Sequence, residues 1–123
     1  MTMAKTGLLG PYPLSYDEIN DSVVPKMPGT YALGRTDSSG RFCVRFVGRS
    51  DDDVRARLCE YIGSDSLFKF IHFLTPKAAF EKECELYHQF SPPGNRVHPS
   101  RPSGTGWTCP YCRIFGDWGP AAR

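Results

Sequence analysis

One glutamate in the second half of the chain stands among residues that favour burial, at helical spacing. Positions i, i+3, i+4 and i+7 of one helix face are occupied by Phe80, Glu83, Cys84 and Tyr87. A carboxylate within an apolar stripe is costly unless it pairs with a cation or binds a metal. Glu83 is therefore a candidate metal ligand. A glutamate that pairs with an arginine, or that reaches solvent from the edge of the stripe, explains the pattern equally well.

An arginine and a tyrosine on an earlier helical stretch form a second candidate pair. Arg57 lies four residues before Tyr61, so the two side chains share a helix face. A guanidinium beside a phenol could hold a phosphate and position a water molecule. The plainer interpretation is an exposed arginine next to a half-buried tyrosine.

The C-terminal part contains the tetrapeptide Cys109-Pro110-Tyr111-Cys112, which is compatible with two chemistries. A redox dithiol needs a following helix whose N-terminus lowers the thiol pKa, and residues 113–123 contain two glycines and a proline. A CxxC pair is also half of a tetrahedral zinc site. His98 is the first candidate for a further ligand, and His88 or Cys84 could supply another. A pair of free thiols remains the alternative.

The composition is that of a single globular domain. The 123 residues are 40% hydrophobic and 23% charged, which is ordinary and sufficient for one buried core. No stretch reaches the length of about 20 apolar residues that a membrane span needs. Residues 1–10 show no leader pattern, and the five cysteines do not form a secreted disulfide framework. We therefore expect a cytoplasmic protein.

Charge is distributed unevenly along the chain. The net charge of +2 is too small to indicate a nucleic-acid partner by itself. Residues 95–123, however, contain a single acid, Asp117, against four arginines: Arg96, Arg101, Arg113 and Arg123. This basic segment could hold phosphates, and a solvated polar tail is the alternative.

Local signals predict the elements that must position these residues. Ser15 begins a capping-box pattern, so a short helix is expected from Tyr16 to Val23. Thr30–Arg35 and Phe42–Phe46 alternate between the two faces of a strand on either side of a turn cluster, which predicts a β-hairpin. Residues 1–14 are expected to form a loose arm.

The second half of the chain carries equally clear signals. Ser50 followed by three aspartates predicts a helix start, which we prefer to a metal site, and Gly63 ends that helix. Leu67–Leu74 is a predicted buried strand, and Thr75 with Pro76 starts a helix that continues to Phe90. The order β-β-α-β-α predicts an α+β fold, with a three-stranded antiparallel sheet flanked by helices and an irregular C-terminal segment.

Five short pieces of the chain follow one another in a fixed order: Pro28-Gly29-Thr30-Tyr31, Phe46-Val47-Gly48-Arg49, Arg57, Glu83 and Pro92-Pro93-Gly94-Asn95. This order resembles that of the GIY-YIG nuclease family, whose members cut phosphodiester bonds with a single divalent metal. The resemblance covers roughly residues 26–95 of one domain. The arm at 1–14 and the cysteine-containing segment at 96–123 lie outside it.

The resemblance implies a role for each matching residue. Glu83 would bind Mg²⁺ or Mn²⁺, and Arg57 would contact the scissile phosphate. Arg55 is the alternative because one extra residue separates Gly48 from Arg57. The implied catalytic residues are Tyr31, Arg57, Tyr61, Glu83 and Asn95. We expect nucleic acid, DNA rather than RNA, as the partner, held by Arg49, Arg55, Arg96 and Arg101.

Phe46 departs from the family pattern. The family has a tyrosine there as its usual candidate for the general base, and phenylalanine has no hydroxyl. Tyr31 on the neighbouring strand is the candidate replacement. Without a replacement, the domain would be a nucleic-acid-binding relative with weak or no activity. A thiol redox protein using Cys109 and Cys112 is the third class.

Overall fold

The computed structural model of the protein describes residues 6–112. Its elements are β1 (Leu9–Pro13), α1 (Tyr16–Ser22), β2 (Gly29–Thr36), β3 (Phe42–Ser50), α2 (Val54–Cys59), β4 (Leu67–His72) and α3 (Pro76–Phe90). Within this range, none of the helices combines the length and the apolar character that a membrane crossing requires. Arg113, Asp117 and Arg123, which contribute to the predicted charge asymmetry, lie outside the described residues.

The strands form one antiparallel sheet in the order β1-β4-β2-β3, so the α+β class is confirmed. The predicted count of three strands is wrong, because Leu9–Pro13 pairs with β4 as an edge strand. This strand lies in the segment predicted to be a loose arm. It contains two prolines, which argue against a strand when only the sequence is considered. An edge strand nevertheless accepts proline, because half of its backbone groups have no partner.

Side-chain caps start all three helices. Ser15 Oγ accepts a hydrogen bond from Glu18 N at 3.2 Å, as the capping box predicts, and Thr75 Oγ1 accepts one from Ala78 N at 3.2 Å. The cap of α2 was predicted three residues too early, because Asp53, not Ser50, accepts from Ala56 N at 3.1 Å. α2 is also shorter than predicted and ends at Cys59, before Gly63. Tyr61 therefore follows the helix in a turn, and the predicted shared helix face of Arg57 and Tyr61 is wrong.

The sheet lies between α1 and α2 on one face and α3 on the other. The first face packs on a core that contains Leu33, Leu58 and Phe68, and the second on one that contains Ala32 and Leu86. Thr30 ties the sheet to α3, since its buried hydroxyl donates to Ala79 O at 2.8 Å. Helices from both faces contact β3, one of the two edge strands: α2 on one face and α3 on the other.

The segment after α3 returns along the outer side of β3. Ser91 ends α3 in a left-handed conformation, with a φ of 43°. Gly94 N then donates to Arg45 O at 2.7 Å. A Cβ on Gly94 would lie 2.7 Å from that same carbonyl oxygen, so the close approach requires glycine. The chain is thereby directed towards the C-terminal end of β3.

Candidate functional site

A polar cleft of about 210 Å³ opens where β3 ends. Its walls come from the end of β3, the following loop, α2, α3 and the C-terminal segment, and consist of Arg49, Ser50, Asp51, Arg57, Glu83 and Ser100. The cleft therefore brings together two residues of the predicted catalytic set, Arg57 and Glu83. Three of its residues, Ser50, Asp51 and Ser100, were not predicted to belong to a site.

Glu83 is paired with an arginine. Arg49 Nη1 donates to Glu83 Oε1 at 2.7 Å, and both side chains are only 10% exposed. The rest of the Arg49 guanidinium is also engaged: Nε donates to Asp51 Oδ1 and Nη2 to Ser100 O, each at 2.8 Å. The sequence interpretation had left open whether Glu83 pairs with an arginine. Arg49, predicted to contact nucleic acid, holds the glutamate and the C-terminal segment in place.

Burial dominates the electrostatics of Glu83. It raises the pKa of the carboxyl from 4.5 to about 7, and the charge and hydrogen bond of Arg49 oppose this rise. The negative charge of Asp51 adds to it, whereas Arg57 acts in the same direction as Arg49. Glu83 therefore changes its charge near neutral pH, and a cation that entered the cleft would favour the ionised form.

Arg57 stands at the solvent side of the cleft. Its side chain is 44% exposed, and its Nε lies 3.6 Å from Glu60 Oε1 in a surface ion pair. Such an exposed pair is weak and is easily exchanged for another anion. Arg55, the alternative for this role, points elsewhere, because its Nη2 donates to Asn20 O on α1 at 3.2 Å.

Three aromatic rings pack behind the cleft. The ring centroids of Tyr31 and Tyr61 lie 5.8 Å apart, and Phe46 is 5.4 Å from Tyr61 and 6.3 Å from Tyr31. The two tyrosine hydroxyls interact electrostatically, and this interaction adds to the rise in the pKa of Tyr31. Tyr31 is buried, which is the main reason that its pKa is raised. Gly48 is required beside it, because a Cβ there would collide with the Tyr31 hydroxyl.

The remaining predicted site residues lie outside the cleft. The Asn95 amide holds the backbone of β3: its Oδ1 accepts from Val47 N at 2.8 Å, and its Nδ2 donates to Val47 O at 2.9 Å. Arg101 Nη1 donates to Trp107 O at 2.7 Å, and Arg96 is exposed. These contacts give Asn95 and Arg101 structural functions.

Four side chains at the C-terminal end of α3 and in the segment after it converge on one point. The ligand atoms of His88, His98, Cys109 and Cys112 all lie within 4.8 Å of one another. His88 Nε2 is 3.4 Å from each sulfur and 3.3 Å from His98 Nε2, and Cys112 Sγ is 3.2 Å from His98 Nε2. Tetrahedral zinc, with bonds of about 2.3 Å to sulfur and 2.0 Å to nitrogen, places such atoms roughly 3.3–3.8 Å apart.

The neighbours of this cluster suit metal ligands. The Nδ1 of His98 lies 2.8 Å from Pro99 O, and a proton there gives Nε2 the lone pair that a metal ligand needs. Tyr111 N donates to Cys109 Sγ at 3.3 Å. Burial raises the pKa of Cys84, and the neighbouring Cys109 adds to the rise, so that Cys84 stays a thiol. The cluster could therefore hold a metal ion, and two thiolates with two imidazoles suit Zn²⁺ and not Mg²⁺.

Sequence analysis identified most of the residues of this cluster. Cys109, Cys112 and His98 were predicted, and His88 was named beside Cys84 as a source of another ligand. His88 is the residue that faces the sulfurs. It lies on α3 one turn beyond Cys84, so helical spacing alone did not separate the two candidates.

No known protein family, curated protein or solved structure matches this chain significantly. The chemistry of the cleft and of the cysteine–histidine cluster is therefore the basis for assigning a function.

Proposed function

We propose that this protein is a metal-dependent endonuclease that hydrolyses phosphodiester bonds in the polar cleft. The observation that carries the proposal is the buried Glu83 carboxylate facing the half-exposed Arg57 across a cleft about 210 Å³ in volume. A guanidinium that can bind phosphate and a carboxylate that can bind a metal ion are two of the groups that metal-dependent phosphodiester hydrolysis uses. The resemblance of the sequence to GIY-YIG nucleases adds support.

The donors in the cleft suit a hard divalent cation. Glu83, Asp51 and Ser50, whose side chains end in oxygen, line it, and oxygen is the ligand that Mg²⁺ and Mn²⁺ prefer. Arg49 binds one oxygen of Glu83, Oε1, so a cation on Oε2 would leave this ion pair intact. Once bound, the metal would neutralise charge on the cleaved phosphate and its leaving oxygen.

The protein side chains would perform the remaining steps. Arg57 would release Glu60 and donate two hydrogen bonds to the non-bridging phosphate oxygens. Tyr61, supported by Tyr31, would orient the attacking water. Because the pKa of Tyr31 is raised, this residue would act as a neutral hydrogen-bonding group rather than as a phenolate base.

A catalytically weak nucleic-acid-binding protein is the second candidate. Two observations favour it: Phe46 supplies no hydroxyl, and Arg49 already neutralises Glu83. In that case Arg57 and the cleft would bind a phosphate without cleaving it.

Nicking assays with a matched pair of variants separate these candidates. Supercoiled plasmid and short oligonucleotides, DNA and RNA, would be incubated with Mg²⁺ or Mn²⁺. The wild type should cleave, Glu83→Gln should not, and Glu85→Gln should behave like the wild type, because Glu85 lies on the same helix but pairs with Lys82 outside the cleft. Equal cleavage by wild type and Glu83→Gln would remove Glu83 from the mechanism. Binding without cleavage under all conditions would support the second candidate.

We also propose that His88, His98, Cys109 and Cys112 bind one structural Zn²⁺. The distances between their ligand atoms support this better than a redox dithiol, since two imidazole nitrogens lie within 3.4 Å of the Cys112 sulfur. Metal analysis should give about one zinc per chain. Cys109→Ser should lower zinc content and melting temperature, whereas Cys43→Ser, at an exposed position, should change neither. Zinc-free protein with rapid thiol–disulfide exchange would favour the redox class.

A further inference from the structure

A second cavity opens beside the rings of Phe46 and Tyr61. It measures about 200 Å³ and is lined by Leu33, Arg45, Phe46, Tyr61, Ser64, Asp65 and Gly94. Tyr31 connects the two sites, because its hydroxyl interacts electrostatically with Arg57 and Glu83 of the cleft and with Tyr61 of the cavity. A group bound in this cavity would therefore lie next to a phosphate held by Arg57.

The walls of this cavity combine flat aromatic surface with hydrogen-bonding groups. Phe46 and Tyr61 are both partly buried and present neighbouring rings, inclined at 37°. Aromatic rings of this kind stack on nucleobases. Phe46, which stands where the GIY-YIG family has a tyrosine, thus gives the cavity an apolar aromatic surface.

A carboxylate and a guanidinium also line this cavity. The Asp65 side chain is only 10% exposed, and its Oδ1 lies 3.4 Å from Arg45 Nε and 3.8 Å from Arg35 Nη2. These are ionic contacts, since Oδ1 has no hydrogen-bond partner among the described residues. The carboxylate can accept N–H groups, and the guanidinium can donate to a carbonyl oxygen.

One nucleobase matches this donor and acceptor pattern well. Guanine presents N–H groups at N1 and N2, which suit a carboxylate, and a carbonyl oxygen at O6, which suits an arginine. Adenine offers no carbonyl oxygen, and cytosine, thymine and uracil, which have one, present N–H groups at a single position only. A base can reach such a pocket only when it is unstacked, as in a single strand, a loop or a flipped nucleotide.

We propose that this cavity binds an unpaired guanine next to the phosphate held in the cleft. The proposal rests on the proposed function, and it defines the substrate as a nucleic acid with an unpaired guanine beside the cleaved bond. Asp65 and Arg45 select the base, while Phe46 and Tyr61 stack on it.

Nucleotide titrations test this directly and need no cleavage. Full-length protein labelled with ¹⁵N would be titrated with 5′-GMP, 5′-IMP, 5′-AMP and inorganic phosphate, without Mg²⁺. Phosphate should shift only amides of the cleft, such as Ser50 and Asp51. GMP should also shift Ser64, Asp65 and Gly94. IMP lacks the N2 amino group, so it should bind about fivefold to a hundredfold more weakly than GMP.

An aspartate variant and a matched control complete the test. Asp65→Asn should bring GMP down to the affinity of IMP. Asp37→Asn should not, although Asp37 forms a similar ion pair with Arg41, because it lies in the hairpin turn away from the cavity. Equal affinities for all three nucleotides, or shifts confined to the cleft, would overturn the guanine pocket and leave the phosphate site standing. Phosphate without effect on the cleft, together with GMP shifts around Ser64, would instead count against the nuclease and not against the pocket.

Discussion

Replacing Glu83 with glutamine should make the protein more stable at pH 8, even though it removes the carboxylate on which the proposed chemistry depends. Burial raises the pKa of Glu83 from 4.5 to about 7. The folded state therefore binds more protons than the unfolded chain between pH 4.5 and pH 7, and stability falls as the pH rises through this window. Glutamine has the shape of the protonated carboxyl and does not ionise.

The size of the effect follows from the pKa difference. Each pKa unit corresponds to about 1.36 kcal/mol, so the complete window corresponds to about 3 kcal/mol. Below pH 4.5 the carboxyl is protonated in both states, and wild type and Glu83→Gln should be equally stable. Above pH 7 the variant should be more stable by about 3 kcal/mol.

Urea unfolding between pH 4.5 and pH 8 measures this difference. The buffers should contain neither Mg²⁺ nor a chelator, so that the cysteine–histidine cluster is undisturbed. Glu85→Gln is the matched control, and its stability should follow that of the wild type because its carboxylate is partly exposed. A wild type that is more stable than Glu83→Gln at pH 8 would show that the ion pair with Arg49 outweighs the effect of burial.

The same experiment detects metal binding without cleavage. If Glu83 binds Mg²⁺, adding it at ten times its dissociation constant should stabilise the wild type at pH 8 by about 1.4 kcal/mol. Glu83→Gln should not respond. An equal response in both proteins would place the metal elsewhere.

Two further predictions concern the groups around Glu83. Arg57→Ala should slow cleavage by about a hundredfold or more and weaken substrate binding less. Arg55→Ala should leave the cleavage rate unchanged, because Arg55 contacts α1. Single-turnover rates and binding titrations measure both effects, and a larger defect in Arg55→Ala would contradict the assignment of Arg57. Phe46→Tyr should raise the cleavage rate if the missing hydroxyl limits catalysis, and Tyr31→Phe should remove what activity remains; activity that is unchanged by Tyr31→Phe would show that Tyr31 does not help Tyr61 to orient the water.

Sequence signals predicted best where the determinants are local. Thr75 and Pro76 start α3 and Phe90 ends it, as predicted, because a cap, a proline at the first helical position and the following breakers act within a few residues. The hairpin of β2 and β3 was found for the same reason. β1 was missed because an edge strand is defined by its partner, β4, more than 50 residues away.

The candidate site likewise combines residues that sequence spacing identifies with contacts that only the folded chain creates. The candidate residues Arg57, Glu83 and the two cysteines of the tetrapeptide could be identified by type and spacing. The partner of Glu83 could not, because Arg49 is 34 residues away and reaches it only in the folded chain. Asp51 was assigned to helix capping with its neighbours. In the structure these aspartates have different roles: Asp53 caps α2, and Asp51 lies in the cleft.

The contacts of Gly94 and Asn95 with β3 have a consequence for association between molecules. An outermost strand normally presents unpaired backbone groups to which another chain can add. Here Arg45 O is bound by Gly94 N, and both backbone groups of Val47 are bound by the Asn95 amide. Asn95 therefore blocks strand addition at this edge. An Asn95 variant that loses activity should accordingly be checked for self-association before its defect is attributed to chemistry.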